Sequence, residues 1–105
     1  MKEINIKQVL IAVILGGIAL PAMAADAASG AEKIATCAAC HGIDGQSSAP
    51  IYPNLAGQPS AYLELALKAY RAGEREGGMS AVMTPQATNL TDEDIADISA
   101  YYSGQ

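Results

Sequence analysis

The sequence contains no tryptophan and no phenylalanine, and its aromatic residues are five tyrosines. A core made from this chain alone would lack the largest apolar side chains, so aliphatic residues or a bound group must supply the missing buried surface. There is one histidine, His41, and two cysteines, Cys37 and Cys40. That excludes a site built on paired imidazoles, and it leaves a structural zinc site one ligand short of its usual four. No stretch reads convincingly as a strand, which removes the βαβ setting that a thioredoxin-like Cys-x-x-Cys pair requires. Basic residues are scarce, six Lys and Arg against 11 Asp and Glu, for a formal charge of −5. A nucleic-acid partner is excluded on charge. An acidic surface instead favours partners with a basic docking patch and makes the association sensitive to salt.

What the chain does have is Cys37-Ala38-Ala39-Cys40-His41. Cys-x-x-Cys-His is the attachment sequence of a c-type haem. Two thiols three positions apart lie about one helical turn from each other, so both reach vinyl groups along one edge of a porphyrin. His41 is then carried beneath the macrocycle as an iron ligand, and Gly42 and Gly45 let the backbone turn away from a large flat group. A disulfide across two intervening residues is geometrically poor and leaves His41 without a role.

The first two dozen residues read as an export signal. Lys2 and Lys7 form a positive start, Val9 to Leu20 an apolar run, and Pro21-Ala22-Met23-Ala24 a small-x-small cleavage site, so residues 1–24 are expected to be removed and 25–105 to form one domain. The apolar run is short of the roughly 20 residues that span a membrane, and no stable membrane insertion of the mature chain is expected. Removing this segment takes away Lys2, Lys7 and Glu3 and leaves 4 basic against 10 acidic side chains, a formal charge of −6. The remaining domain is small enough to need a stabilising group, and haem provides one.

Helix formers from Ala27 to Ala39, with Ser29 available as a cap, predict one short helix ending at the haem motif. Gly30 within it marks either a close approach of another element or simply a position ahead of the helix. From Gly42 to Gln58, Pro50, Pro53, Gly45, Gly57 and Ser47-Ser48 predict an extended loop at the haem edge. A ligand histidine gives its second ring proton to a carbonyl, for which Pro50 is the candidate, although composition does not separate it from Pro53. Ser60 is expected to cap a helix to about Arg71, with Leu63, Leu67 and Tyr70 on one stripe. Glu74 to Asn89, with Gly77-Gly78 and Pro85, is expected to be irregular. Thr91, followed by Asp92, Glu93 and Asp94, caps a final helix that turns Ile95, Ile98 and Tyr102 inward. With the one histidine committed, a methionine thioether is the remaining soft ligand, and Met79 and Met83 both stand in the segment before that helix.

In order along the chain, Cys37-Ala-Ala-Cys-His-Gly, Asp44-Gly, Pro50-x-x-Pro-x-Leu-Ala-Gly-Gln58, Tyr62-Leu, Gly73-x-Arg75, Met83-x-x-x-Ala87-x-x-Leu90-Thr-Asp and Ile98-x-Ala-Tyr-Tyr102 resemble the class I c-type cytochromes, in particular a single domain of the cytochrome c4/c553 type. The resemblance implies an all-α fold of three to four short helices and long loops around one covalent haem c. It implies thioethers from Cys37 and Cys40, iron ligation by His41 and Met83, and a Pro50 carbonyl accepting the His41 proton. The first and last helices would cross near Gly30 under Tyr101 or Tyr102. Thr84 stands where family members often have proline directly after the ligand methionine.

The function expected is a soluble periplasmic carrier of single electrons between respiratory redox partners, membrane complexes among them, and not an enzyme. No nucleophile is paired with a base, and no second histidine is left for acid–base work. Two other readings share the motif. If neither methionine binds iron, a five-coordinate haem with peroxidase or gas-binding activity follows; alternatively the same haem serves as an electron relay in a larger oxidoreductase.

Overall fold

A computed structural model describes residues 25–105, and the expected export signal at 1–24 lies outside the described residues. Five helices follow one another: α1 (Ala27–Ala31), α2 (Ala35–His41), α3 (Ser60–Arg71), α4 (Ser80–Ala87) and α5 (Asp92–Ser103). No strand occurs among the described residues, so the fold is all-α, as expected.

The single first helix expected from Ala27 to Ala39 is two. Asp26, rather than Ser29, caps α1: its carboxylate accepts from the Ala28 N–H at 3.0 Å and from the Ser29 hydroxyl at 2.8 Å. The chain then tightens, with Glu32 N bonded to Ser29 O and Lys33 N to Gly30 O, before α2 begins. From this interruption Lys33 reaches across to α5, 2.8 Å from Asp97 and 3.0 Å from Asp94.

Pro59, not Ser60, occupies the cap position of α3, where a residue without an N–H loses nothing. The second correction is α4, which lies inside the stretch expected to be irregular and holds Pro85 in its interior. Proline removes one ladder bond, but two threonines bond neighbouring carbonyls: Thr84 Oγ1 donates to Ser80 O at 3.0 Å and Thr88 Oγ1 to Thr84 O at 2.8 Å. The start of α5 is as the sequence predicts. Thr91 Oγ1 accepts from Asp94 N and the Asp94 carboxylate accepts from Thr91 N, both at 3.0 Å.

The core is small: Ile34, Leu63, Ile98 and Tyr102, with Cys37, Leu55, Leu67 and Leu90 packed against them. Its arrangement depends on α5 lying across α1 and α3. Gly30 is buried at the first crossing, where an added Cβ would stand 2.1 Å from the Asp97 carbonyl oxygen and 2.9 Å from Tyr101 Cβ. Only glycine permits that approach, which is the close-packing reading of Gly30.

Beside this crossing, Asp97 is 3% exposed and accepts from Lys33 Nζ and from the Asp26 N–H, each at 2.8 Å. The Lys33 ammonium first, and the Asp26 amide second, hold its carboxyl below the usual carboxylate range. Arg71 does the same for Asp92 from 2.7 Å. Carboxyls lowered on folding stabilise the native state fully above their unfolded pKa, about 3.9, and that stability is lost as pH falls through the lower folded values. Urea midpoints followed by helical circular dichroism should therefore drop steeply below about pH 4. Asp97→Asn should lower the neutral plateau and flatten that acid limb; an unchanged limb would remove Asp97 from the acid response.

Candidate functional site

The final turns of α2 carry Cys37, Cys40 and His41, and the helix ends there because Gly42 takes a φ of +83° and sends the chain away. Both cysteines are unpaired and half-buried. Burial pushes the Cys37 thiol up, so it stays protonated near neutrality and lacks the low-pKa thiolate of a dithiol redox centre. No group of three or more His, Cys, Asp or Glu side chains among the described residues is placed to hold a metal ion.

His41 is 6% exposed, and its Nδ1 lies 2.8 Å from the carbonyl oxygen of Pro53. A carbonyl only accepts, so Nδ1 carries the proton and Nε2 keeps its lone pair for a metal. The acceptor is thus Pro53 and not Pro50. Residues 49–52 form a closed turn, with Tyr52 N bonded to Ala49 O at 3.1 Å and Ser47 Oγ donating to both Ala49 O and Tyr52 O. Pro50 sits exposed inside that turn. Pro53 follows the turn, where the chain runs back to bond Leu55 N to Gly45 O at 2.8 Å.

Three tyrosines complete this side, two of them in roles the sequence reading did not assign. The Tyr52 ring stands edge-on to the His41 imidazole, with centroids 6.3 Å apart. Tyr102 Oη donates to Gly42 O at 3.0 Å, and Tyr101 Oη donates to Ile43 O. The sequence predicts Tyr102 as an inward core residue and, with Tyr101, as a candidate over the Gly30 crossing; a buried tyrosine's need to place its hydroxyl on an acceptor is the signal that points further.

Met83 lies half-buried in α4, while Met79 is the N-cap residue of that helix and 46% exposed. Ile43 and Ile51, flanking the His41 loop, are 70% and 60% exposed, unusual for isoleucines in so small a domain. Two unpaired thiols on one helical turn, an imidazole with a free Nε2 and nearby uncovered aliphatic side chains fit a c-type haem as a donor set.

Comparison with known proteins places residues 27–103 within the cytochrome c family. The chain is similar to cytochrome c-554(548) of Halomonas halodenitrificans, 66% identical over 82 residues that cover 78% of this chain and 99% of that protein. It is 46% identical over 91 residues to cytochrome c4 of Pseudomonas aeruginosa, covering 87% of this chain but 44% of that protein. Among solved structures, reduced recombinant cytochrome c4 from Pseudomonas stutzeri superposes with a TM-score of 0.63 at 41% identity, covering 78% of this chain and 46% of that one. The chain therefore spans nearly all of the first relative and less than half of the cytochrome c4 chains.

Proposed function

Because the chain belongs to the cytochrome c family, we propose that it is an exported, soluble monohaem carrier of single electrons in the periplasm, with Cys37 and Cys40 holding the haem and His41 and Met83 ligating its iron. Covalent haem c, when bound, supplies a one-electron iron couple. The observation that carries the reading is the His41 Nδ1 bond to Pro53, which fixes the tautomer and aims Nε2 away as a free donor.

The protein's own part is positional. Pro53 keeps the imidazole in one orientation through oxidation and reduction, and its pull on the proton raises the basicity of Nε2. Two fixed ligands and an enclosing helical frame keep rearrangement small between oxidation states, which suits a carrier. The acidic surface, including Asp92, Glu93 and Asp94 at the start of α5, favours basic faces on donors and acceptors.

The test combines optics with kinetics. Purified protein should show a sharp visible band on dithionite reduction, keep its colour through acid–acetone extraction and ignore carbon monoxide. Its electron exchange with a basic redox protein should slow as ionic strength rises, as screened attraction requires. Ready carbon monoxide binding by the untreated protein would favour the five-coordinate reading, and salt-independent exchange would show that the acidic face is not the docking face.

A further inference from the structure

The Pro53 carbonyl that holds His41 sits in a loop with no helix of its own, so something else must fix it. A run of hydrogen bonds does so. Leu55 N and Ala56 N both donate to Gly45 O, at 2.8 and 3.1 Å, and Gly57 N donates to Tyr102 O at 3.1 Å. From the same residue, Tyr102 Oη returns to Gly42 O at 3.0 Å, one position after His41. Gly45 is buried against this arrangement, where an added Cβ would meet Ala56 N at 2.5 Å and Tyr102 Cδ1 at 3.0 Å. Tyr102 thus joins the chain leaving the imidazole to the chain bringing its acceptor.

We infer that Tyr102 is a positioning residue for the haem ligand: through Gly42 on one side and Gly57 on the other it sets the His41 Nδ1–Pro53 hydrogen bond, and through that bond the potential of the iron. The inference rests on the assignment of His41 Nε2 to iron. Tyr102 is 1% exposed, and burial raises its phenol pKa, so Oη remains a proton donor at any physiological pH. Its acceptor is a neutral amide carbonyl, which cannot take the proton away; the hydroxyl therefore serves as a fixed strut rather than a redox relay. Tyr101 makes a parallel bond to Ile43 O from a more exposed position and with no link to the Pro53 segment.

The sign follows from the chemistry of the ligand. A firm Nδ1–H bond makes the imidazole a stronger donor and favours the oxidised iron. Tyr102→Phe keeps the ring in the core but frees Gly42 O, so the bond should loosen and the one-electron equilibrium should move about threefold towards the reduced form, roughly 30 mV at 59 mV per decade. Tyr101→Phe should leave the potential at the wild-type value, and p-aminophenylalanine at position 102, which retains a donor, should restore it. In proton NMR of the oxidised holoprotein, the exchangeable Nδ1–H of the axial imidazole should exchange faster in Y102F than in wild type. A Y102F protein with lowered thermal stability but wild-type potential and exchange would reduce Tyr102 to a packing residue and overturn the inference. Wild-type protein with no such paramagnetically shifted imidazole proton would overturn the His41 assignment itself. Should Y102F not accumulate, the wild type still answers: Nδ1–H and the Leu55 amide should exchange with similar lifetimes because one opening exposes both, and lifetimes more than about tenfold apart would overturn the inference.

Discussion

Met83→Ala is expected to abolish the weak long-wavelength absorption that reports a sulfur–iron(III) bond, to open the iron to cyanide and carbon monoxide, and to lower the potential by on the order of 0.1–0.3 V, within the roughly 0.8 V range that axial ligands span. The reasoning begins with how few candidates there are. The one histidine is held by Pro53, the two thiols belong to α2, and Met79 and Met83 stand four residues apart on one side of α4. Met83 is the more enclosed of the two, whereas Met79 is 46% exposed at the helix cap. A thioether favours Fe(II) over a second nitrogen or oxygen donor, so its loss stabilises the oxidised iron. Met79→Ala should leave the band, the ligand resistance and the potential nearly unchanged. The reverse outcome would move the ligand to Met79, and a band indifferent to both replacements would leave the sixth position to neither.

Joint replacement of Cys37 and Cys40 by alanine should yield a chain with little helical circular dichroism and no haem that survives acid–acetone. Domains of this size keep a net stability of about 5–15 kcal/mol at best. A large apolar group at the centre contributes like several buried aliphatic side chains, at about 1.5–3 kcal/mol each, so its loss cancels the margin. The observed core supports that arithmetic, since among the described residues Tyr102 is the only large aromatic with a fully buried side chain, and the isoleucines at 43 and 51 remain largely uncovered. Single replacements should behave differently, retaining the haem through the surviving thioether. A double variant that keeps native helical content without haem would show that the polypeptide carries its own core.

How much of this could be read from the sequence varied with where the information resides. α5 was legible because its signals are local: Thr91, Asp94 and the spacing of Ile95, Ile98 and Tyr102 act within one helix. The motif on α2 was legible because haem chemistry constrains adjacent residues. The interruption between α1 and α2 was not: the run from Ala27 to Ala39 is dominated by helix formers, and the partner that Lys33 meets from the interruption is Asp97, 64 positions away. Helix α4 was hidden by Pro85, which ordinarily interrupts a helix but here stands in the last turn of a short one. Pro53 replaced Pro50 as the acceptor because the closing of the turn at residues 49–52, not composition, decides which carbonyl follows it. The hydroxyl partners of Tyr101 and Tyr102 lie 58 and 60 positions back, beyond any pattern of spacing.

The contact of Gly30 with Asp97 also sets an order in time. The Asp26 N–H to Asp97 bond spans 71 positions, and closing so long a loop costs entropy before any contact repays it. Helix α5 supplies Ile98 and Tyr102 to the core, so a chain synthesised from its N-terminus cannot complete that core until α5 arrives. Until then Cys37 lacks the completed cluster that it packs against. Docking of α5 afterwards closes the crossing at Gly30 and brings the Tyr102 hydroxyl onto Gly42 beside the motif, so α5 is the element that completes the frame around His41.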